Sequence, residues 1–367
     1  MSKKRGNHEG NVRYRPQRKQ WQGEIQVGYH PDGRRRRVTV YGQTRKSVVE
    51  KLDRIKQDLT DGINLTDKPT FRQVAELWLA QHKVAASTHK QYEYLLNPIL
   101  KEFGTREISS ILPYELEAFL IRISQDHSDS YISKLKAVLN MVFHKAKINK
   151  WIRSNPCADL EEIKSQISSK PRAYFTLEEM KTLFFALPED RLGDSIRLLK
   201  GTGIRLGELL ATSADSFNDD CSIYHVHRAV KQVGGKITIG TPKSKSSLRD
   251  IVIPEAFRPA AMRLRDLCKD GHYLWEAGIP GQPCHESHFR KEFKRSVESV
   301  LGPTSKTPHM MRHGFATTHA TVLKTPKIMV HHMLGHSLRR INTDTYFHCD
   351  IEAQKTAAAA YSELFMN

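Results

Sequence analysis

The sequence contains no apolar run that approaches the roughly 20 residues needed to cross a bilayer. Basic residues open the chain, but no apolar stretch follows them, so no signal peptide is expected. The five cysteines are scattered without Cys-x-x-Cys spacing, which argues against a zinc module and against a disulfide framework. These absences predict a soluble, cytoplasmic protein with no membrane partner.

Acidic residues are in the minority, with 40 Asp and Glu against 58 Lys and Arg, which gives a formal net charge of +18. Residues 1–70 hold 17 of the basic residues and 8 of the acidic ones, so half of the excess lies in about a fifth of the chain. This balance predicts a polyanion as partner. Ribosomal proteins and membrane-surface binders have a similar balance, so charge alone does not identify the partner as nucleic acid.

The length of 367 residues predicts two or three domains, each large enough to bury its own core. Residues 1–66 are expected to form the first domain, with three short strands and a helix that begins after Thr44. A basic three-stranded sheet is a common way to place strands in a major groove. The arginines at positions 34–37 are equally compatible with a solvated turn.

Residues 70–165 show the apolar spacing of an all-helical second domain. A helix cap is expected at Ser87 or Thr88, a helix end at Gly104 and a first-turn proline at Pro113.

Residues 173–367 are expected to form a mainly α third domain with a small antiparallel sheet. Its first helix is marked by a capping box, in which Thr176 is followed three residues later by Glu179. The expected fold class is therefore multidomain α+β.

Residues suited to chemistry on a phosphodiester follow one another in the last third of the chain. They are Arg205, Lys243, His309, Arg312, His336 and Tyr346. Two guanidiniums, two imidazoles, an ammonium and a phenol suffice to hold a DNA phosphate, attack it and protonate the departing sugar oxygen. Each residue alone has an ordinary explanation as a surface helix face, a helix C-cap or a packed tyrosine, so the hypothesis depends on the ordered set.

The two arginines match the charge of the reacting phosphate. The non-bridging oxygens of five-coordinate phosphorus carry concentrated negative charge, and preorganised cations aimed there are usually the largest catalytic contribution. The planar guanidinium can grip two oxygens and stays charged. Arg205 follows a helix break, and Arg312 lies three residues after His309, which places those two on one helical face.

The histidines and the lysine would serve the proton transfers. A tyrosine with an ordinary pKa of about 10 is a weak nucleophile, so a base such as His309 must assist it, while His336 would donate a hydrogen bond to the phosphate. The leaving 5′ oxygen needs a proton. Lys243 is expected at the tip of a hairpin, between strands that end at residue 241 and begin near residue 248, and Lys245 is its competitor.

At these motifs the sequence resembles the tyrosine recombinases, in particular the integrases of phages and integrative conjugative elements. The resemblance is carried by TGIRLGEL at 202–209, TPKS at 241–244 leading to RDIVIP at 249–254, HMMRHGFAT at 309–317, and LGHS at 334–337 followed by TDTYFH at 343–348. One difference is that Tyr346 comes ten residues after His336, one more than the commonest family spacing. This implies a longer loop before the nucleophile's helix.

The resemblance implies a role for each residue of the set. Arg205 and Arg312 would be phosphate clamps, Lys243 the general acid, His309 the general base, His336 a further phosphate contact and Tyr346 the nucleophile. Glu208 would orient the site. The three domains would be an arm-type DNA-binding domain, a core-binding domain and a catalytic domain with a C-terminal tail helix.

The implied activity is strand exchange between short DNA attachment sites through a 3′-phosphotyrosyl link. The link stores the bond energy, so neither ATP, a divalent metal nor another cofactor is expected. The implied partners are double-stranded attachment sites, a homotetramer assembled on DNA, an excisionase and a DNA-bending host factor. Residues 357–365 would suit docking onto a neighbouring subunit, and DNA-bound protein would lie at the bacterial nucleoid.

Four alternatives remain open. A type IB topoisomerase uses the same chemistry on one strand pair, and a chromosome-dimer resolvase would normally lack the basic N-terminal module. A non-catalytic DNA-binding regulator would not need Tyr346. A metal site at His331, His332 and His336 is the least favoured, and retention of activity in chelator would exclude it.

Overall fold

The computed structural model describes residues 11–29, 32–167, 174–233, 235–242, 245–268, 271–336 and 351–366. The chain divides into two compact units, Met1–Lys170 and Pro171–Asn367. Of the predicted site residues, Lys243 and Tyr346 lie outside the described residues. None of the described helices combines the length and apolarity of a membrane-spanning segment.

The first unit opens with an antiparallel sheet and a helix. The elements are β1 (Asn11–Arg15), β2 (Gln20–Tyr29), β3 (Arg35–Gly42) and α1 (Arg45–Thr60), with β2 in the centre of the sheet. Thr44 caps α1 by accepting a hydrogen bond from the Ser47 backbone N–H at 3.2 Å. The helix lies so close to β2 that a Cβ on Gly23 would come within 2.6 Å of Val48. The predicted sheet and helix cap are confirmed.

The rest of the first unit is helical around one apolar core. Its helices are α2 (Phe71–Gln81), α3 (Ala86–Phe103), α4 (Pro113–Ser124) and α5 (Asp129–Ile148). The predicted helix end at Gly104 and the first-turn proline at Pro113 are confirmed. The predicted cap at Ser87 or Thr88 is wrong, because the N-cap of α3 is Ala85, two residues before Ser87, and it makes no side-chain cap bond.

The second unit packs helices around two small sheets. Its helices are α6 (Leu177–Ala186), α7 (Arg191–Thr202), α8 (Leu206–Leu210), α9 (Arg258–Leu267), α10 (Glu286–Leu301), α11 (Pro308–Thr317), α12 (Lys327–Leu334) and α13 (Ile351–Glu363). The capping box is confirmed, since Thr176 and Glu179 exchange hydrogen bonds of 2.9 and 3.2 Å. The expected mixed fold with small antiparallel sheets is confirmed.

Strand pairing in the second unit differs from the expected hairpin. The strands are β4 (Ile223–Val226), β5 (Ala229–Val233), β6 (Lys236–Gly240) and β7 (Arg249–Val252). Strand β6 pairs with β5, whereas β7 pairs with β4, which comes much earlier in the chain. The expected hairpin between β6 and β7 is therefore wrong, and Lys243 itself lies outside the described residues.

Helix α13 packs on its own unit, whereas the sequence suggested docking of residues 357–365 onto a neighbouring subunit. Tyr361 is fully buried and stacks on His319, with ring centroids 4.8 Å apart. The Gln354 side-chain oxygen accepts a hydrogen bond from the Val252 N–H at 3.3 Å. In this single chain, the apolar face of α13 is covered by its own unit.

The buried imidazole of His319 should make stability depend on pH. Burial lowers the pKa of His319 to about 4, so the unfolded chain takes up this proton more readily than the folded protein does. Its contribution is complete above pH 6.5 and falls as the pH drops towards 4, by up to about 1.4 kcal/mol per pH unit. Thermal unfolding at pH 7 and pH 5 should show a smaller loss for His319→Phe than for wild type, and equal losses would contradict this account.

Candidate active site

Arg205 is presented by a tight break between two helices. Gly203 ends α7 in the left-handed conformation (φ +63°), and a Cβ there would come within 2.7 Å of Phe315, so only glycine fits. Two residues later Arg205 is the N-cap of α8, with 36% of its side chain exposed. The sequence predicted this placement at the start of a helix, and the structure confirms it.

Glu208 holds Arg205 in position through two hydrogen bonds. Its side chain is 2% exposed and accepts hydrogen bonds from the Arg205 backbone N–H at 2.9 Å and from Arg205 Nη1 at 2.8 Å. Burial alone would raise the pKa of Glu208, but hydrogen bonds and charge from Arg249, together with Arg205, lower it below its ordinary value. The carboxylate is therefore ionised at neutral pH and fixes one edge of the Arg205 guanidinium.

Arg312 lies deeper than Arg205. Its residue surface is 4% exposed, and the guanidinium donates to the Gly203 carbonyl at 2.8 Å and to the Leu334 carbonyl. Burial and the charges of Arg205 and Arg249 lower the pKa of Arg312 to about 9, so it stays protonated at neutral pH. Within the described residues it has no carboxylate partner, which leaves its charge available to an anion.

The two predicted histidines lie close to Arg312 in the fold, one on its own helix and one just beyond the helix end to which it donates. His309 is one turn before Arg312 on α11, and His336 follows Gly335, the left-handed residue that ends α12. Desolvation and the neighbouring positive charges lower the pKa of both histidines, in the case of His336 to about 4. Both imidazoles are therefore neutral at pH 7 and can accept a proton or donate a hydrogen bond.

These residues meet at a cleft of about 700 Å³. Arg205, Glu208, His309 and His336 line it, and Arg312 is bonded to the backbone just behind it. The structure thus brings together four of the six predicted residues. Lys243 and Tyr346 lie outside the described residues, and Lys245 is described in its backbone alone, so the choice between the two lysines stays open.

Three further cations were not identified from the sequence. Lys231 on β5 and Arg290 on α10 line the cleft, and nothing in their surroundings in the sequence distinguishes them from other surface residues. Arg249 is fully buried and pairs with Glu208. A signal for Arg249 did exist, because it begins the RDIVIP segment at 249–254 that carries the family resemblance.

The helical part of the first unit matches a known protein family. Residues 71–163 match the model of the phage integrase central domain. This range covers α2 to α5.

Relatives with similar sequences extend over nearly the whole chain. A tyrosine recombinase XerC-like protein of Caldanaerobacter subterraneus is 25% identical over 93% of this chain and 95% of its own length. The ICEBs1 integrase of Bacillus subtilis is 21% identical over 94% and 97%, respectively. The transposase of transposon Tn916 from Enterococcus faecalis is 24% identical over 84% and 81%.

Solved structures show the same fold. An integrase of transposon Tn1549 in complex with a circular intermediate DNA superposes with a TM-score of 0.62 at 23% identity, covering 73% of this chain and 92% of that one. A lambda integrase in a tetramer bound to a Holliday junction gives a TM-score of 0.56 at 15% identity, covering 92% and 98%. In sequence and in fold the chain is similar to tyrosine recombinases and integrases, enzymes that break and rejoin DNA. Among such enzymes the resemblance is to the integrases of mobile elements, as the sequence predicted.

Proposed function

We propose that this protein integrates and excises a mobile element by cutting and rejoining DNA at specific attachment sites. The observation that carries the proposal is the excess of cations at one buried carboxylate. Arg205 and Arg249 donate to Glu208, and Arg312 lies within electrostatic reach of it, so these four residues carry two positive charges more than negative ones. A phosphodiester in five-coordinate form supplies the concentrated negative charge that such a site stabilises.

The proposed reaction conserves bond energy. The Tyr346 oxygen attacks the scissile phosphorus and loses its proton to His309, which is neutral at pH 7 because its pKa is lowered. The bond from phosphorus to the 5′ oxygen breaks, and that oxygen takes a proton from Lys243. The 5′ hydroxyl of a partner strand then attacks the 3′-phosphotyrosyl bond and releases Tyr346, so no ATP and no metal enter the balance.

The same chemistry suggests how many copies of the protein assemble on DNA. Exchange of both strand pairs uses four nucleophiles, so we infer a homotetramer on two double-stranded attachment sites. The lambda integrase neighbour is a tetramer on a Holliday junction, which supports this inference. An excisionase and a DNA-bending host factor would set the direction of the reaction.

Trapping the covalent intermediate tests the proposal. Wild-type protein with chelator present is incubated with DNA that spans the ends of the element, and a denaturant-resistant protein–DNA adduct is expected. Recombinant products from two site-bearing duplexes would identify a recombinase, whereas relaxation of supercoils without exchange would identify a topoisomerase. DNA binding without any adduct at the element's ends would favour a non-catalytic regulator.

We further propose that residues 1–66 bind arm-type DNA sites, residues 70–165 bind the core site and residues 173–367 catalyse the reaction. The N-terminal sheet supports the first assignment. One face packs on α1, and the other carries polar side chains, with Arg13 and Tyr41 exposed on the outer strands. Gln22 lies between them on the central strand, is 7% exposed and accepts a hydrogen bond from Arg15 Nε at 2.6 Å. Arg37 is exposed on the same face, opposite Gln26. Exposed arginine side chains of this kind contact base edges and phosphates.

Removing the two arginines of that face should weaken arm-site binding selectively. Arg13→Ala with Arg37→Ala is expected to lower affinity for arm DNA at least about tenfold and to reduce its salt dependence by about two phosphate contacts. Cleavage of an isolated core site should not change. Lys46→Ala with Arg54→Ala removes equal charge from exposed positions on α1 and serves as the control. Equal loss in both double variants would show that the sheet face has no special role.

A further inference from the structure

Arg249, the first residue of β7, is a fully enclosed cation that contacts the cleft residue Glu208 from the protein side. Its side chain is 0% exposed, and its guanidinium donates to both oxygens of Glu208, from Nη2 at 2.9 Å and from Nη1 at 3.2 Å. A bidentate hydrogen bond of this kind fixes the plane of the carboxylate as well as its position. Glu208 in turn holds Arg205, so the orientation of that phosphate clamp depends on a residue that does not line the cleft.

The remaining hydrogen bonds of Arg249 reach two other segments of the site. Nε donates to the Met333 carbonyl at 2.6 Å, in the last turn of α12 before His336. Nη1 donates to the Ser247 carbonyl at 2.9 Å, where the connection that contains Lys243 returns to β7. One guanidinium therefore joins three chain segments, each of which carries a proposed site residue.

Gly335 makes this arrangement possible. Its left-handed conformation turns the chain over Arg249, and a Cβ at this position would come within 2.9 Å of Arg249 Nη1. The Gly335 carbonyl accepts a hydrogen bond from Arg205 Nη2 at 3.1 Å. The contacts thus form a closed circuit from Arg249 through Glu208, Arg205 and the end of α12 back to Arg249.

The circuit also sets the charge that a phosphate meets. Arg205 and Arg249 share the Oε1 atom of Glu208. Without Arg249, the buried carboxylate would have Arg205 as its remaining cationic partner and would draw that guanidinium away from the phosphate. Lysine would restore the charge but could not reproduce the planar fork, because an ammonium is a compact point charge.

We propose that Arg249 is a positioning residue that keeps Arg205 available to the scissile phosphate by neutralising Glu208 and by tying α8, α12 and the lysine-bearing connection together. This inference rests on the proposed recombinase function. It does not require Arg249 to touch DNA.

The test compares cleavage of two substrates by full-length protein. One is an ordinary core site, and the other carries a neutral methylphosphonate at the scissile position, which removes the charge that Arg205 would neutralise. With the ordinary phosphate, Arg249→Met is expected to lower the rate of adduct formation at saturating protein by about 10²-fold or more, with DNA affinity nearly unchanged. With methylphosphonate, the difference from wild type should shrink to a few-fold. Arg249→Lys should give an intermediate loss on the phosphate.

Arg263 provides a matched control. It makes the same bidentate contact to a buried carboxylate, donating to Asp194 at 2.7 and 2.9 Å. It lies on α9, away from the cleft. Arg263→Met should leave the rate on both substrates unchanged once folding is verified by its unfolding temperature.

Two outcomes would overturn the inference. These are a wild-type rate in Arg249→Met, or an equal loss on both substrates, which would mean a general structural role. If Arg249→Met does not fold, the folded Arg249→Lys protein carries the same comparison. Absence of an adduct in the wild type would instead contradict the proposed function, so the two failures are distinguishable.

Discussion

Replacing Tyr346 by phenylalanine is expected to abolish the covalent protein–DNA adduct while leaving DNA binding within about twofold of wild type. The substitution removes one oxygen atom and keeps the ring, so a loss confined to chemistry would assign the attacking oxygen to this residue. Measurement of adduct formation in denaturing gels, beside gel-shift affinity for the same duplex, separates the two effects. A covalent adduct in the phenylalanine variant would overturn the assignment.

The described part of the cleft offers no competing tyrosine nucleophile. None of the described residues that line the cleft is a tyrosine. Tyr224 and Tyr361 are both buried with their pKa raised by burial, so neither can supply a phenolate to DNA in solvent. Tyr361→Phe is the matched control, because it removes a hydroxyl that donates only to the Lys200 carbonyl at 3.2 Å. That variant should keep the adduct.

Much of the fold was accessible from the sequence because local rules decide it. Thr44 and Thr176 cap helices through bonds to residues three positions away, and Gly104 ends a helix where glycine is expected. The start of α3 was misplaced because Ala85 provides no side-chain signal, although Ser87 and Thr88 just after it do. Local signals therefore predict the elements well where a cap uses its side chain.

Local rules of this kind did not predict how the strands of the second unit pair. Strand β6 pairs with β5, the strand just before it, but β7 pairs with β4 across the whole of β5 and β6, and no local turn connects those two strands. The same limit applies to Arg249. Its motif was visible, but its bonds to Glu208 and Met333 join positions 41 and 84 residues away, and one sequence alone does not report such contacts.

The sequence predicted for a different reason that Arg205 and Arg312 belong to one site. Arg205 and Arg312 lie in short motifs in which a helix start or a one-turn spacing defines the geometry. The sequence could not predict that the two arginines differ in burial. Arg205 is 36% exposed in its side chain and tied to a carboxylate, whereas Arg312 is buried and tied to carbonyl groups. The two proposed clamps should therefore respond differently to substitution.

Arg312→Lys is expected to lower the rate of adduct formation by about 10³-fold, with little change in affinity for DNA. The guanidinium reaches the Gly203 and Leu334 carbonyls at the same time, and an ammonium cannot span both while also facing a phosphate. Lysine is preferable to alanine here, because alanine would leave two buried carbonyls without donors and would confound catalysis with stability. The measurement is single-turnover adduct formation at saturating protein, with the unfolding temperature as a check on folding.

Arg290→Lys is the control for this prediction. Arg290 lines the same cleft but is exposed and pairs with Glu286 one turn away at 3.0 Å, so lysine can replace its charge in water. We expect less than about a tenfold change in that variant. If Arg312→Lys retained comparable activity, the buried guanidinium would serve only to join α7 and α12. The stabilising charge for the phosphate would then have to come from Arg205 and from cations at the surface of the cleft.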